Sequence, residues 1–229
     1  MPFRFIVNPN ELTMKRRKPS THKVIKVGIT GGIGSGKTTV CKMFEDLGIP
    51  VYYADDRAKY LMHHEHHLID EIKKHFGDDV YESGRLNRKV LADRVFNDKA
   101  KVALLNSLVH PAVFRDTERW VEDQNERKVP YVLKEAALLV ETGSYKVLDK
   151  LIVVTAPLQV RIDRVTQRDD TTVADIEARM RNQLSDEEKV KLADFVVVND
   201  DGLEHLRAEV LRIHEAILLL VNQNIPVEK

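Results

Sequence analysis

The feature that most constrains this chain is a glycine-rich loop between a predicted strand and a predicted helix. Residues 31–38 read Gly-Gly-Ile-Gly-Ser-Gly-Lys-Thr, which fits the pattern G-x-x-x-x-G-K-[ST]. The residues before the loop, 24–29, are mostly apolar and β-branched, as in a buried strand. The residues after it, 40–47, have the pattern of a helix. Because strand, loop and helix agree, we predict a phosphate-binding loop at this position.

The residue types of the loop suit the phosphates of a nucleotide together with a divalent cation. Glycine reaches positive φ angles and lets successive backbone N–H groups point at one anion. The N-terminus of the following helix adds a partial positive charge. In this pattern Lys37 contacts the β- and γ-phosphates, and the hydroxyl of Thr38 binds Mg²⁺. The predicted nucleotide-binding set is Gly32, Ile33, Gly34, Ser35, Gly36, Lys37, Thr38 and Thr39.

Further apolar runs predict the other strands of a five-stranded parallel sheet. They cover residues 50–53, 129–133, 150–155 and 195–199. The last two are continuous apolar runs, as expected for parallel strands that are buried on both faces. Residues 57–124 look mainly helical, with Pro111 expected to begin a helix, and a closing helix is predicted from Leu203 to Val221. Strands that alternate with helices predict a doubly wound α/β fold.

Composition limits the partners and the location that we expect. The 229 residues include 36 basic and 36 acidic side chains, so net charge gives no reason to expect a nucleic-acid partner. No apolar run approaches the ~18 residues that cross a membrane, so we expect no membrane association. The single cysteine, Cys41, fits a reducing compartment, and we expect a cytoplasmic protein. We expect a monomer or a small homo-oligomer, with residues 1–22 as a disordered leader.

An acidic pair follows the second predicted strand. Asp55 and Asp56 come directly after Val51-Tyr52-Tyr53-Ala54. Ligands of open α/β sheets bind outside the carboxyl ends of the strands, so either carboxylate could meet a substrate hydroxyl. The alternative is that one of them caps the next helix. The sequence alone favours neither interpretation.

An arginine-rich helical segment lies between the last two predicted strands. The helix from Leu158 to Arg168 carries Arg161 and Arg164 as well as Arg168. Capping-box patterns then begin at Thr172 and at Ser185. Arginines near a phosphate site can stabilise a transferring phosphoryl group, and a closing segment can exclude water. We therefore predict a lid, while a solvated helical hairpin is the alternative.

The ordered set of motifs resembles the dephospho-coenzyme A kinase family over nearly the whole chain, from about Lys26 to Val221. The loop form Thr-Gly-Gly-Ile-Gly-Ser-Gly is much more specific than a general phosphate loop. A different small-molecule kinase or a nucleotide-binding regulatory module are the alternatives. Further matching segments are Ala54-Asp55, Leu86-Asn87-Arg88, Leu108-Val109-His110-Pro111, Leu138-Leu139-Val140-Glu141, Gln167-Arg168-Asp169, Arg179 to Gln183, and Ala193-Asp194 to Asn199.

The resemblance implies a reaction and a domain organisation. It implies transfer of the γ-phosphoryl of ATP, bound with Mg²⁺, to the 3′-hydroxyl of dephospho-CoA, the last step of coenzyme A synthesis. It implies a P-loop NTPase fold whose nucleotide-binding core comprises residues 23–55, 127–157 and 192–229. A helical domain for the acceptor substrate would span residues 56–126, and a helical lid would span residues 158–191.

The resemblance also implies roles for residues outside the loop. Asp55 would orient the accepting hydroxyl and take its proton. Arg88 and His110 would lie on the acceptor side, although capping and packing is an alternative for His110. Arg164 and Arg168 would face the phosphates and act in catalysis together with Lys37. Asn199 would lie near the adenine of ATP.

The chain departs from the family pattern at three positions. Tyr53 replaces the first acid of the usual Asp-Ala-Asp, which leaves Asp55 as the catalytic candidate. Ala137 stands where a proline often precedes Leu-Leu, so the local turn is expected to differ. Arg161 stands where a glutamine is usual, and either a phosphate contact or a surface charge would explain it.

Overall fold

The structure, a computed structural model, describes residues 23–95, 98–169, 171–200 and 202–223. The predicted leader, residues 1–22, lies outside the described residues. The strands are β1 Ile25–Thr30, β2 Val51–Tyr53, β3 Tyr81–Glu82, β4 Arg85–Leu86, β5 Tyr131–Glu135, β6 Lys150–Thr155 and β7 Phe195–Val198. The helices are α1 Lys37–Asp46, α2 Ala54–His64, α3 His66–Phe76, α4 Arg88–Val95, α5 Lys99–Glu126, α6 Leu158–Arg168, α7 Val173–Met180, α8 Asp186–Val190 and α9 Gly202–Gln223.

A five-stranded parallel sheet organises the molecule, as the sequence predicts. Its order is β2-β5-β1-β6-β7, with every neighbouring pair parallel. The main core lies between this sheet and α1 and α9, around fully buried side chains such as Ile29, Phe44 and Ile213. A smaller apolar cluster around Leu139 and Val153 includes residues beside α8. Because β1 is central, the loop that follows it lies in the middle of the carboxyl edge of the sheet.

Helices α2 to α5 form a second core beside the carboxyl edge of the sheet. Buried apolar residues such as Leu61, Ile72 and Leu91 hold these helices together. The segment also contains the antiparallel pair β3–β4, which the sequence analysis missed. Each of these strands has only two residues, and their turn uses positive φ at Ser83 and Gly84. So short a hairpin leaves no alternating pattern in the sequence.

The expectation that Pro111 begins a helix is wrong. Pro111 lies inside the 28-residue helix α5. Proline removes one helical N–H and disfavours a straight helix, but here Val109, Ala112 and Val113 are buried on both sides of it. Packing of these residues in the second core holds the helix through the proline.

Strand β5 begins and ends two residues later than the predicted run, residues 129–133. It covers Tyr131–Glu135 because its register is set by both neighbours. Glu135 is opposite Ile29 of β1 and opposite Tyr53 of β2. The strand thus includes the polar residues Lys134 and Glu135, which follow the apolar run. Strand β7 likewise ends at Val198, so Asn199 follows the strand instead of belonging to it.

Within the described residues, no helix is both long enough and apolar enough to span a membrane. Between β6 and β7 the predicted local structure is confirmed. Helix α6 has the predicted bounds, and both capping boxes are present, at Thr172 and at Ser185.

Candidate active site

The glycine-rich loop connects β1 directly to the first turn of α1. Gly36 is the N-cap of α1, with φ of 94°, a left-handed conformation that favours glycine. A Cβ at Gly36 would also overlap the side-chain amide of Asn199. Thr38 and Thr39 are exposed in the first turn of the helix, where backbone N–H groups have no helical partner. The loop and helix therefore have the geometry of an anion site.

Lys37 is the cation of this loop. Its Nζ donates hydrogen bonds to the carbonyl oxygens of Gly31, at 2.9 Å, and Gly32, at 3.3 Å. Burial lowers the pKa of Lys37, and the carboxylates of Glu135 and Asp55 oppose this effect. The ammonium group thus lies at the loop carbonyls and interacts electrostatically with two acidic side chains.

Asn199 and Arg164 support the loop from the end of β7 and from α6. The amide Nδ2 of buried Asn199 donates to the carbonyl of Ser35 at 2.8 Å. Arg164 in turn donates to the backbone carbonyl and to Oδ1 of Asn199, both at 3.2 Å. The hydroxyl of Ser35 is buried and has no hydrogen-bond partner among the residues that the structure describes. The structure therefore brings Arg164 and Asn199 to the loop.

Glu135 is a site residue that the sequence analysis missed. It ends β5 between the ends of β1 and β2, so its carboxyl lies between the phosphate loop and the Asp55 segment. Burial raises its pKa to about 7, with Lys37 opposing the shift and Asp55 adding to it. Its position at the end of an apolar run was the available signal. The preceding residue, Lys134, made Glu135 hard to assign to the strand, because a charged residue inside a strand resembles the start of a loop.

Asp55, and not Asp56, lines the cavity beside the second core. The cavity has a volume of about 700 Å³ and lies between the second core and the carboxyl ends of β2 and β5. Both aspartates are in the first turn of α2, whose N-cap is Tyr53, without a side-chain capping bond. Asp56 instead pairs with Lys59 at 2.7 Å and is 74% exposed. The helix-cap alternative is therefore wrong for both residues.

The lining of this cavity is largely apolar and includes several polar side chains. His110 and Pro111 line it from the middle of α5, and Asp55 lines it from α2. An apolar wall with a few polar groups is typical of a small-molecule site. Its apolar lining includes Met62, Leu105, Val109, Val113, Phe114 and Leu138.

Two predicted site residues lie apart from the loop and the cavity. Arg88 is exposed at the start of α4, where its charge lowers the pKa of His63 after the larger effect of burial. Arg168 pairs with its neighbour Asp169 at 2.8 Å, and its side chain is 64% exposed. In the described part of the chain, neither arginine lines the cavity. Their roles stay predictions.

Two departures from the family pattern have simple structural settings. Tyr53 packs against the main core, and burial raises the pKa of its hydroxyl. Ala137 lies in the turn after β5, where its carbonyl accepts a hydrogen bond from the Thr30 hydroxyl at 3.3 Å.

Replacement of Glu135 by glutamine is expected to change how stability depends on pH. Between the ordinary pKa of 4.5 and the raised value of about 7, the native chain binds more protons than the unfolded chain. The free energy of unfolding of the wild type therefore falls as pH rises through this window. Glutamine removes this slope. Across the window, the free energy of unfolding of the variant should therefore rise by up to about 3 kcal/mol relative to that of the wild type. Urea unfolding across the window measures the difference.

A matched control for this prediction is Glu122→Gln, which removes the same charge from an exposed position on α5. It should leave the pH dependence close to that of the wild type. Parallel stability curves for wild type and Glu135→Gln would contradict the burial-based assignment.

Together, the sheet topology and the site identify the fold as that of a P-loop kinase. Its features are the loop on central strand β1, the carboxylates at the neighbouring strand ends and the cavity beside them. The family model for dephospho-CoA kinase matches residues 25–205. The chain belongs to this family.

Individual relatives agree with this assignment. The dephospho-CoA kinase of Salinibacter ruber is 42% identical over 192 residues, covering 83% of this chain and 96% of the relative. A crystal structure of a Thermus thermophilus protein is 34% identical, with a TM-score of 0.74, covering 84% of this chain and 97% of that one. The Campylobacter jejuni dephospho-CoA kinase, 24% identical with a TM-score of 0.58, shares the fold and covers 84% of this chain and 96% of its own.

Proposed function

We propose that this protein transfers the γ-phosphoryl of ATP to the 3′-hydroxyl of dephospho-CoA, giving coenzyme A and ADP. Family membership supports the reaction. The observation that carries the assignment of roles is that Asp55 lines a cavity and interacts electrostatically with Lys37 of the phosphate loop. A carboxylate on the acceptor side is thereby close to the cation on the donor side.

In the proposed reaction, Asp55 orients the acceptor hydroxyl and accepts its proton as the new O–P bond forms. The bond between the γ-phosphorus and the bridging oxygen breaks, and ADP leaves. Lys37 and Arg164 stabilise negative charge on the phosphates. Arg168 would join them only after exchanging its present partner, Asp169. Asn199 would lie near the adenine of ATP, and its hydrogen bond to the Ser35 carbonyl supports this proximity to the loop.

Mg²⁺ fits the oxygen donors of the site. In the described residues no group of three or more His, Cys, Asp or Glu side chains is arranged to hold a metal. Mg²⁺ bound with ATP needs only one or two protein oxygens, because phosphates and waters supply the rest. The exposed hydroxyl of Thr38 would hold it, and the ion would neutralise phosphate charge.

The remaining predictions complete the proposal. Residues 56–126 would form the acceptor domain, because most of the second core and about half of the residues that line the cavity belong to them. Residues 158–191 would form the lid, which carries the arginines of α6. The apolar cavity wall suits the uncharged part of the pantetheine arm. The single cysteine fits the reducing conditions of the cytoplasm.

An assay of ADP release with Mg·ATP tests the proposal. Dephospho-CoA would be compared with AMP, UMP, shikimate and gluconate, and mass spectrometry would confirm 3′-phosphorylation. We expect product with dephospho-CoA alone. Transfer to another acceptor would overturn the acceptor assignment, and ATP binding without any transfer would favour a regulatory module.

Replacement of His110 by alanine is expected to raise the KM for dephospho-CoA about tenfold, the effect of one lost hydrogen bond. The KM for ATP should not change, because His110 lines the cavity on the acceptor side. Initial-rate measurements with each substrate varied in turn test this. Arg88→Ala is the comparison: an equal rise would place exposed Arg88 on the acceptor too. If the KM for dephospho-CoA were unchanged in His110→Ala, the role of His110 would be packing and not substrate binding.

A further inference from the structure

We propose that Arg161 positions the phosphate loop for ATP and that Asp186 holds Arg161 in place for this task. Arg161 lies on α6 and is buried, so it is not the surface charge that the sequence allowed as an alternative. Its Nε donates to the carbonyl of Ile33 at 2.9 Å, and its Nη1 donates to the Asp186 carboxylate at 3.0 Å. The inference rests on ATP being the nucleotide of the proposed function.

Contacts of Ile33 fix the orientations of two successive peptide groups, Gly32–Ile33 and Ile33–Gly34, and the two carbonyls point in opposite directions. The N–H of Ile33 donates to the side-chain oxygen of Gln183 at 3.0 Å. The carbonyl of the same peptide group, that of Gly32, accepts a hydrogen bond from Lys37. In a trans peptide the N–H and C=O point in opposite directions. The first peptide group therefore directs its N–H to the lid segment and its carbonyl to the loop lysine.

The second peptide group is reversed, and Arg161 is the residue that holds it. The carbonyl of Ile33 points at Arg161, so the N–H of Gly34 must point the opposite way. The preceding peptide group directs its N–H to Gln183 and its carbonyl to Lys37. Because Gln183 and Arg161 both belong to the segment between β6 and β7, we infer that the N–H of Gly34 points to the Lys37 side. A backbone N–H on the lysine side of such a loop is a phosphate donor. Arg161 thus sets the direction of one donor before the nucleotide arrives.

Space around the guanidinium shows how closely it fits the loop. A Cβ at Gly32 would overlap the guanidinium, and a Cβ at Gly34 would overlap the backbone of Arg161. The two glycines therefore give α6 its close approach to the loop. No rotation of the Ile33–Gly34 peptide is possible without loss of a charge-assisted hydrogen bond.

Asp186 gives Arg161 a link that the usual glutamine of the family cannot make. The Nε2 of a glutamine is as many bonds from Cα as the Nε of arginine, so it could also reach Ile33. It ends at that nitrogen and lacks the Nη atoms, one of which pairs with the Asp186 carboxylate in Arg161. The residues around Asp186 are themselves fixed. Glu141 accepts a hydrogen bond from the N–H of Leu184 at 3.0 Å and lies 3.0 Å from the ammonium of buried Lys189.

Three substitutions and a matched control test the positioning role. The dissociation constant for ATP, measured by calorimetry without acceptor, should rise about 10- to 100-fold in Arg161→Met, which loses both contacts. It should rise about two- to fivefold in Arg161→Gln, which retains a donor for Ile33, and in Asp186→Ala, which loses the ion pair. In steady state, KM for ATP should rise with little change in kcat, and KM for dephospho-CoA should stay the same.

The control Glu187→Ala separates positioning from long-range charge. Glu187 is exposed and adjacent to Asp186, so its loss removes the same negative charge from the same turn of α8. If only charge mattered, both variants would bind ATP more tightly than wild type. If Asp186 positions Arg161, Asp186→Ala binds ATP more weakly while Glu187→Ala does not.

Besides tighter ATP binding in both of these variants, two results would overturn the inference. One is ATP affinity in Arg161→Met equal to wild type. The other is that Arg161→Gln and Asp186→Ala both lower stability and kcat and raise the KM for both substrates, which a merely structural role would produce. Because ATP binding is measured without acceptor, these outcomes are independent of whether dephospho-CoA proves to be the substrate.

Discussion

Replacement of Lys37 by alanine is expected to reduce phosphoryl transfer by at least about 10³-fold while the fold stays intact. Lys37 is the cation that contacts the loop carbonyls of Gly31 and Gly32, and it lies close to Glu135 and Asp55. Without it, charge on the phosphates loses its nearest protein partner. Turnover with Mg·ATP and dephospho-CoA measures the loss, and circular dichroism with thermal unfolding checks the fold.

The matched control for this variant is Lys42→Ala on the same helix. Lys42 is exposed on α1 and has no part in the loop. It should keep its activity within about twofold, since surface substitutions rarely matter. Activity of Lys37→Ala within tenfold of wild type would remove the loop lysine from the mechanism.

Replacement of Asp55 by asparagine is expected to lower kcat by about 10²- to 10⁴-fold, the usual contribution of a general base. Asparagine has nearly the same shape and can still contact the acceptor hydroxyl, but it cannot take its proton. The KM for dephospho-CoA should therefore change less than kcat. Single-turnover measurements would show that the chemical step, and not product release, is slowed.

Asp56→Asn is the control for the Asp55 prediction, because it changes the next residue in the same way. Asp56 faces Lys59 and solvent instead of the cavity. Its replacement should change kcat less than about threefold. If Asp56→Asn were the slower variant, the base would be Asp56 and the orientation of α2 in the active enzyme would differ.

Much of the fold could be predicted from the sequence, because buried parallel strands are visible as continuous apolar runs. The predicted bounds of β6, Lys150–Thr155, and of α6, Leu158–Arg168, are those of the structure. Local hydrogen bonds confirmed the capping boxes at Thr172 and Ser185. In each case the residues that define the element are neighbours in the chain.

The errors arose where distant contacts override local preference. Pro111 resembles a helix start, but packing against the second core carries α5 through it. Lys134-Glu135 resembles the end of a strand, but pairing with β1 and β2 extends β5 through both residues. The β3–β4 hairpin is too short to leave any periodicity.

The sequence by itself determined the phosphate loop, the α/β class and the family resemblance. It could do so because a strand, a loop and a helix that are contiguous in the chain form that site. The tertiary structure decided which aspartate faces the cavity, placed Glu135 beside Lys37, and set Arg161 against Ile33 and Asp186. These features depend on strand order and helix packing, which bring together residues far apart in the chain, as Arg161 and Ile33 are, and which no local pattern encodes.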